Sequence, residues 1–338
     1  MRAMVMTAAG GAEVLQPAEV PEPILRPGHL LIRVAATSVN PADVKIRRSG
    51  AAIGPELPGI LGMDVAGIVE AVGAGVGGFA PGDRVYGCAG GLRGLPGASA
   101  ALMLADARLV APAPPSLSLA EAAALPLVTI TAWEGLFDRA RLAPGRSVLV
   151  QGGTGGVGHV AVQLAKARGA RVVAAVSSPE KAAIARRLGA DGTIDYRREA
   201  LAEQVAAHTG GRGFDLVFDA TGGDNLAADF AAARVGGQVV TIVTGYTADL
   251  APMHGKGLSL HAVFMLIPML HDQDRARHGE ILREAAALVE AGALRPLLDP
   301  RRFRLEELAE AHRHLESGQA VGKVVVEVDP ALAAGQGR

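Results

Sequence analysis

"VLVQGGTGGVGHVAVQLAKARGARVVAAVSS", residues 148–178, packs five glycines into the seven positions 152–158 and then runs into an amphipathic pattern. The apolar run 147–151 in front of it reads as a strand, 156–168 behind it as a helix, and 171–177 as a second strand. A loop that turns this tightly and lets backbone approach a pyrophosphate needs glycine, and the last glycine lets the helix pack closely on the sheet. The helix start then offers unpaired N–H groups and the positive end of its dipole to phosphate. Gly152, Gly153, Thr154, Gly155, Gly156, Val157 and Gly158 are therefore candidate dinucleotide contacts.

Working outward, strand and helix signals keep alternating at 179–188, 193–195, 199–209, 214–219, 225–233 and 238–243. Such alternation marks a parallel sheet with crossover helices, so 118–264 reads as a Rossmann, doubly wound α/β domain. Which dinucleotide it takes follows from the end of the second strand, where an NAD site usually carries an acid for the ribose 2′-hydroxyl. Here Ser177 and Ser178 stand there, and no acid comes before Glu180. Ser177, Lys181, Tyr196 and Arg197 supply donors for a 2′-phosphate instead, which favours NADPH. Thr221 and Gly222, just after the strand 214–219, complete the candidate cofactor contacts.

The remaining sequence is of another kind. Residues 1–117 carry short β-like runs at 29–35, 65–72 and 84–86, the last after the turn Pro81-Gly82-Asp83, and imply a compact, barrel-like β unit. Pro112–Pro115 closes this region, and Ser118 with Glu121 forms a capping-box start to an apolar helix that Pro126 should break. The tail predicts helices at 279–291 and 305–318 and a strand at 323–328, so 265–338 is expected to return to the first domain. Gly318-x-x-x-Gly322-Lys323 is one residue short of a P-loop and precedes a strand, which excludes that reading.

Lys and Arg total 33 against 34 Asp and Glu in 338 residues, so no basic face for nucleic acid is implied. The N-terminus does not read as a signal peptide, and the apolar run 258–270 is short and broken by His261 and Pro268. A cytoplasmic protein without a membrane partner is expected. The single cysteine, Cys88, excludes an internal disulfide and a four-cysteine zinc site.

Several stretches together resemble the medium-chain dehydrogenase/reductase superfamily, within it the zinc-independent quinone oxidoreductase (zeta-crystallin-like) branch. They are VNPADVKIRRSG (39–50), GILGMDVAGIVEAVG (59–73), FAPGDRVYG (79–87), AAALPLVTITAWEGL (122–136), the glycine loop and GKVVVEV (322–328). The resemblance implies a GroES-like β-barrel catalytic domain beside the Rossmann domain, a homodimer, and a quinone or enone as substrate. The pocket loops 49–57, 87–99, 244–256 and 263–270, apolar, glycine-rich and without a charged anchor pair, imply that this substrate is neutral and hydrophobic. The positions that hold catalytic zinc in the superfamily's alcohol dehydrogenases correspond to Asn40, Met63 and Leu127, with Asp64 in place of a nearby Glu. An amide, a thioether and an isobutyl group cannot make a tetrahedral thiolate–imidazole site, so no metal is expected.

Without a Lewis acid, reduction of a conjugated carbonyl is the easier reaction, because hydride at the β-carbon leaves a delocalised enolate that needs only hydrogen-bond donors and a proton. By resemblance, Asn40 donates its amide to the substrate oxygen, or else serves as a turn residue. Asp43 orients the loop or a nearby basic side chain. Lys45 or solvent supplies the proton, Thr131 contacts the nicotinamide, and Lys323 lies near the cofactor. The alternatives are a non-catalytic NADPH-binding protein of the same fold and an alcohol dehydrogenase-type activity.

Overall fold

A computed structural model of the protein describes residues 1–335 apart from Glu199, Asp224 and Tyr246. Glu199, the expected first residue of a helix, and Tyr246, in the expected pocket loop 244–256, thus lie outside the described residues. The chain forms two compact units: Met1–Leu127 with Leu266–Gly292 and Pro296–Arg338, and Val128–Met265 with Ala293–Arg295. The expected junction after residue 117 moves to residue 127, because the capped helix Leu119–Ala122 packs on the strands His29–Val39 and Asp64–Val72 of the first unit. Ser118 Oγ accepts from the Glu121 N–H at 3.2 Å, and Pro126 opens a separate helix, Pro126–Trp133. By length and composition Leu119–Arg139 could cross a membrane, yet 89% of its apolar window is buried inside the protein.

The first unit is built on the 11-residue strand His29–Val39. One of its edges pairs with Asp64–Val72, and the register shifts between Leu31 and Ile32 and again between Val34 and Ala36. Bulges of this kind bend a strand and raise its twist. The other edge therefore serves two partners in succession, Leu102–Asp106 along residues 29–33 and Val324–Glu327 along residues 36–39. This brings the closing strand, and Lys323 just before it, beside the end of His29–Val39. Arg84–Cys88, Val110–Pro112 and Phe303–Arg304 extend this sheet, and a separate three-stranded sheet has Arg2–Met6 between Leu15–Glu19 and Gly59–Ile60.

The second unit holds a six-stranded parallel sheet in the order Gly192–Asp195, Arg171–Val176, Ser147–Gln151, Phe214–Asp219, Ala233–Thr241, Ser259–Ala262. Strand order reverses between Ser147–Gln151 and Phe214–Asp219, and ligands of open α/β sheets bind outside the carboxyl ends at such a switch point. The core is a cluster that includes Leu149, Val173, Ile194, Phe214, Val217, Phe230 and Val239. Full burial of each large side chain of this type contributes about 1.5–3 kcal/mol. The strand expected at 238–243 begins earlier, at Ala233, and carries an irregularity between Ala233 and Gln238 in its pairing with Phe214–Asp219.

Candidate active site

In the first unit, the segment after His29–Val39 turns a buried cluster of polar side chains inward. Asn40 precedes the helix Pro41–Ser49, is 0% exposed, and donates its backbone N–H to Asp43 Oδ2 at 3.0 Å. Asp43 Oδ1 accepts from the Gly62 N–H at 3.2 Å. Burial pushes the Asp43 carboxyl up from 3.8 to about 6, helped by the Asp64 charge and opposed by those backbone donors and the Lys323 charge.

Asp64 is the hub. Its Oδ2 accepts from Ser38 Oγ at 2.6 Å, from Asn40 Nδ2 at 2.8 Å and from Lys323 Nζ at 3.3 Å, and its Oδ1 accepts from the Leu127 N–H at 2.8 Å. Lys323 Nζ also donates to Asn40 Oδ1. Asn40, Asp64 and Leu127, three of the four positions that correspond to the superfamily's zinc site, thus meet, and Met63 beside them is fully buried. The donor set does not fit that metal: the cluster contains neither thiolate nor imidazole, and the ammonium of Lys323 already sits against Asn40 and Asp64.

Three expectations change at this point. Asn40 spends its amide hydrogens inside the protein, on Asp64 and, at 3.4 Å, on the Ser38 carbonyl, so it does not present them to a substrate oxygen. Lys323, expected beside the cofactor, is 3% exposed and belongs to the buried cluster, because an ammonium in this interior requires the Asp64 carboxylate as partner. Lys45 lies on the exposed side of the helix that buries Asp43, Val44, Ile46 and Arg47, since a spacing of two from Asp43 points it away from the cluster. Ser38, Asp64 and Gly62 are members that spacing alone could not have assembled.

In the second unit the glycine loop takes the shape its composition requires. Gly152 has φ +66°, and a Cβ on Gly158 would sit 2.0 Å from the Gly152 carbonyl oxygen. The Gly155 N–H donates to the Gly152 carbonyl at 2.8 Å, and the helix Gly156–Ala167 starts with no side chain capping it. Its first N–H groups, with Val157 and Gly158 among them, are thereby left for an anion. Gly153 and Thr154 complete the turn, Thr154 being buried, and Thr131 is buried in the helix Pro126–Trp133.

The loop after Phe214–Asp219 is held by Asp219, whose Oδ1 accepts from the Thr221 N–H at 2.9 Å, Thr221 Oγ1 at 2.7 Å and the Gly222 N–H at 2.8 Å. A Cβ on Gly152 would meet Thr221 Cγ2 at 2.8 Å, so the two loops touch across the switch point. At the neighbouring strand end, the Tyr196 N–H donates to the Val176 carbonyl at 3.2 Å, which places half-exposed Tyr196 beside Ser177. Ser178 Oγ accepts from the Lys181 N–H at 3.3 Å and starts the helix Pro179–Arg187. Ser177, Lys181 and Tyr196 thus gather at one strand end, where no carboxylate stands at position 177 or 178.

Comparisons with known proteins agree with this geometry. Residues 26–115 match the alcohol dehydrogenase GroES-like domain, and residues 188–326 match a family described as zinc-binding dehydrogenase. The 2-methylene-furan-3-one reductase of Solanum lycopersicum is 36% identical over 98% of this chain and 80% of its own. An alcohol dehydrogenase superfamily protein from Novosphingobium aromaticivorans superposes with a TM-score of 0.92 at 43% identity, over 97% of this chain and 99% of that one. Escherichia coli quinone oxidoreductase, solved in complex with NADPH, superposes with a TM-score of 0.86 at 28% identity, over 97% and 100% of the two chains. With a parallel-sheet dinucleotide unit, a GroES-like unit and relatives of these kinds, the chain belongs to the medium-chain dehydrogenase/reductase superfamily, in its quinone oxidoreductase-like branch.

Proposed function

We propose that the protein is an NADPH-dependent oxidoreductase that reduces quinones or α,β-unsaturated carbonyls without zinc. The observation that carries the reading is the glycine cradle at the switch point, with its open helix start and a neighbouring strand end that offers Ser177, Lys181 and Tyr196 but no acid at the ribose position. Bound there, NADPH supplies the hydride. The chain's own contribution is to fix the pyrophosphate on the N–H groups of the helix start and the 2′-phosphate on Lys181. The loops holding Gly152 and Thr221 are anchored from below by the sheet.

The Asn40–Asp64–Lys323 cluster supports zinc independence, because its positive charge is a side chain of the protein itself. Asn40, Asp43 and Lys323 act as a framework that sets the turn after His29–Val39, and the proton for the reduced substrate comes from solvent. An unactivated alcohol, whose oxidation relies on a Lewis acid to hold alkoxide charge, is a poor substrate for such a site. The reading also includes a homodimer, supported by the edge strand Ser259–Ala262, with Phe264 beyond it 49% exposed.

The test is consumption of NADPH and of NADH against a panel of quinones, enones and saturated aldehydes, with and without chelator. NADPH consumption with quinones or enones that survives chelation is expected. Activity confined to alcohols or saturated aldehydes, or lost with removal of one zinc per chain, overturns the proposal. Light scattering in solution reads the dimer independently.

A further inference from the structure

The helix Asn225–Ala232 carries an acid on the wrong face for solvent. Asp229 is 0% exposed and lies on the buried side with Leu226 and Phe230. Its Oδ1 accepts from Gln151 Nε2 at 2.9 Å, and its buried Oδ2 has no hydrogen-bond partner among the described residues. Gln151 is the last residue of Ser147–Gln151 and immediately precedes the glycine loop. It stands in register with Asp219, the residue that holds Thr221 and Gly222. Two buried carboxyls therefore sit beneath the two loops of the dinucleotide site, Asp219 fully bonded and Asp229 half bonded.

We infer that Asp229 is a positioning residue of the dinucleotide site, which holds Gln151 and the start of the glycine loop and takes up a proton when the anionic cofactor binds. This rests on the proposal that the loop takes NADPH. The physical reason is charge. Asp219 satisfies its carboxylate with the backbone N–H groups of Thr221 and Gly222 and the hydroxyls of Thr221 and Thr241. Asp229 has one amide donor for two oxygens, so its ionised form is poorly solvated, and the neutral acid keeps the Gln151 bond through its carbonyl oxygen. A pyrophosphate arriving above adds negative charge and disfavours the ionised form further.

The surrounding charges leave this balance intact. The helix packs on Phe214–Asp219, Ala233–Thr241, Leu201–Thr209 and Ala251–Lys256. The charged or titratable groups on these elements are Asp215 and Asp219, Arg234, Glu203 and His208, and His254 and Lys256. Asp215 is clasped by Arg146 and Arg234. Lys256 Nζ is spent on the carbonyls of Phe230, Ala231 and Ala233 at the end of the same helix. Asp219 alone among them acts on Asp229, and together with burial, the larger effect, it raises the carboxyl from 3.8 to about 7. The sign follows: the neutral form binds the cofactor more tightly, so affinity falls as pH rises through about 7.

The experiment is NADPH affinity, read by the fluorescence of the bound cofactor, from pH 6 to pH 8.5 for wild type and Asp229→Asn. Asn keeps an acceptor for Gln151 and removes the titration, and the comparison cancels the cofactor's own 2′-phosphate, which ionises near 6. Wild type should lose about fivefold more affinity than the variant across this range, the scale of two charges interacting through a protein interior. Identical pH profiles overturn the inference. Wild type that binds no NADPH at any pH instead overturns the cofactor reading on which it rests. Should Asp229→Asn not fold, calorimetric titration of wild type with NADH at pH 7, in two buffers of different protonation heat, reads proton uptake directly. Net uptake supports the inference, and none overturns it.

Discussion

Lys323 Nζ lies 3.3 Å from Asp64 Oδ2, although 259 residues separate them in the chain, and the two side chains are 3% and 0% exposed. A buried ion pair of this kind contributes little when intact but leaves an uncompensated charge when one partner goes. Lys323→Met should therefore destabilise the protein by about 3–5 kcal/mol. The double variant Asp64→Asn/Lys323→Met should recover part of that loss, since neither charge remains. Denaturant midpoints of the two single variants and the double one check this; strictly additive losses would show that the two groups do not compensate each other.

Asp43 acts in the opposite sense to most paired carboxylates. Its folded carboxyl is raised from 3.8 to about 6, so between those values the folded chain holds a proton that the unfolded chain has lost. Stability from this group is present in full below about 3.8 and declines as pH rises through about 6. Ionisation of Asp43 then costs the fold about 3 kcal/mol at neutral pH, at 1.36 kcal/mol per unit. Asp43→Asn should flatten this window: between pH 4 and pH 7 wild type should lose about 3 kcal/mol of unfolding free energy relative to the variant. A constant difference between the two would mean that Asp43 does not titrate there.

The sequence shows best what is local. The turn at Gly152, the close approach at Gly158 and the alternation around them are encoded within a few residues, so the dinucleotide unit is legible in the order of the amino acids alone. The Asp64–Lys323 pair is not, because Gly322-Lys323 carries no mark of which strand will receive it, and only the pairing of Val324–Glu327 with His29–Val39 brings it to Asn40. Asn40 is legible as a functional position but not in its orientation, which depends on Asp64 accepting its amide. Asp229 leaves a trace that spacing could have found: Leu226, Asp229 and Phe230 share one helical face, and an acid on an apolar face needs a reason.

Lys181 separates the two nicotinamide dinucleotides. Its helix starts at the carboxyl end of Arg171–Val176, beside Ser177 and Tyr196, and a charge-assisted contact to phosphate contributes about 1.5–3 kcal/mol. Lys181→Ala should weaken NADPH binding about tenfold or more and leave NADH nearly unchanged, tenfold being 1.4 kcal/mol. Equilibrium titration with both cofactors measures it. Equal losses for the two would place Lys181 away from the 2′-phosphate.

Gly158→Ala tests the cradle itself. The added Cβ would lie 2.0 Å from the Gly152 carbonyl oxygen and 3.1 Å from Gly153 Cα, both backbone atoms that no side-chain rotation can clear. The loop must move away from the helix start, and with it the N–H groups aimed at the pyrophosphate. NADPH affinity should fall at least about tenfold, or 1.4 kcal/mol, with a lowered melting temperature of the nucleotide unit. Gly255→Ala is the control, since a Cβ there meets nothing within 4 Å, and alanine in a helix is favoured over glycine by roughly 0.5–1 kcal/mol. That variant should bind NADPH as wild type does and melt no lower. If Gly158→Ala retained wild-type affinity, the close packing of helix on loop would not be what the glycine run provides, and the cofactor would have to be held by other contacts.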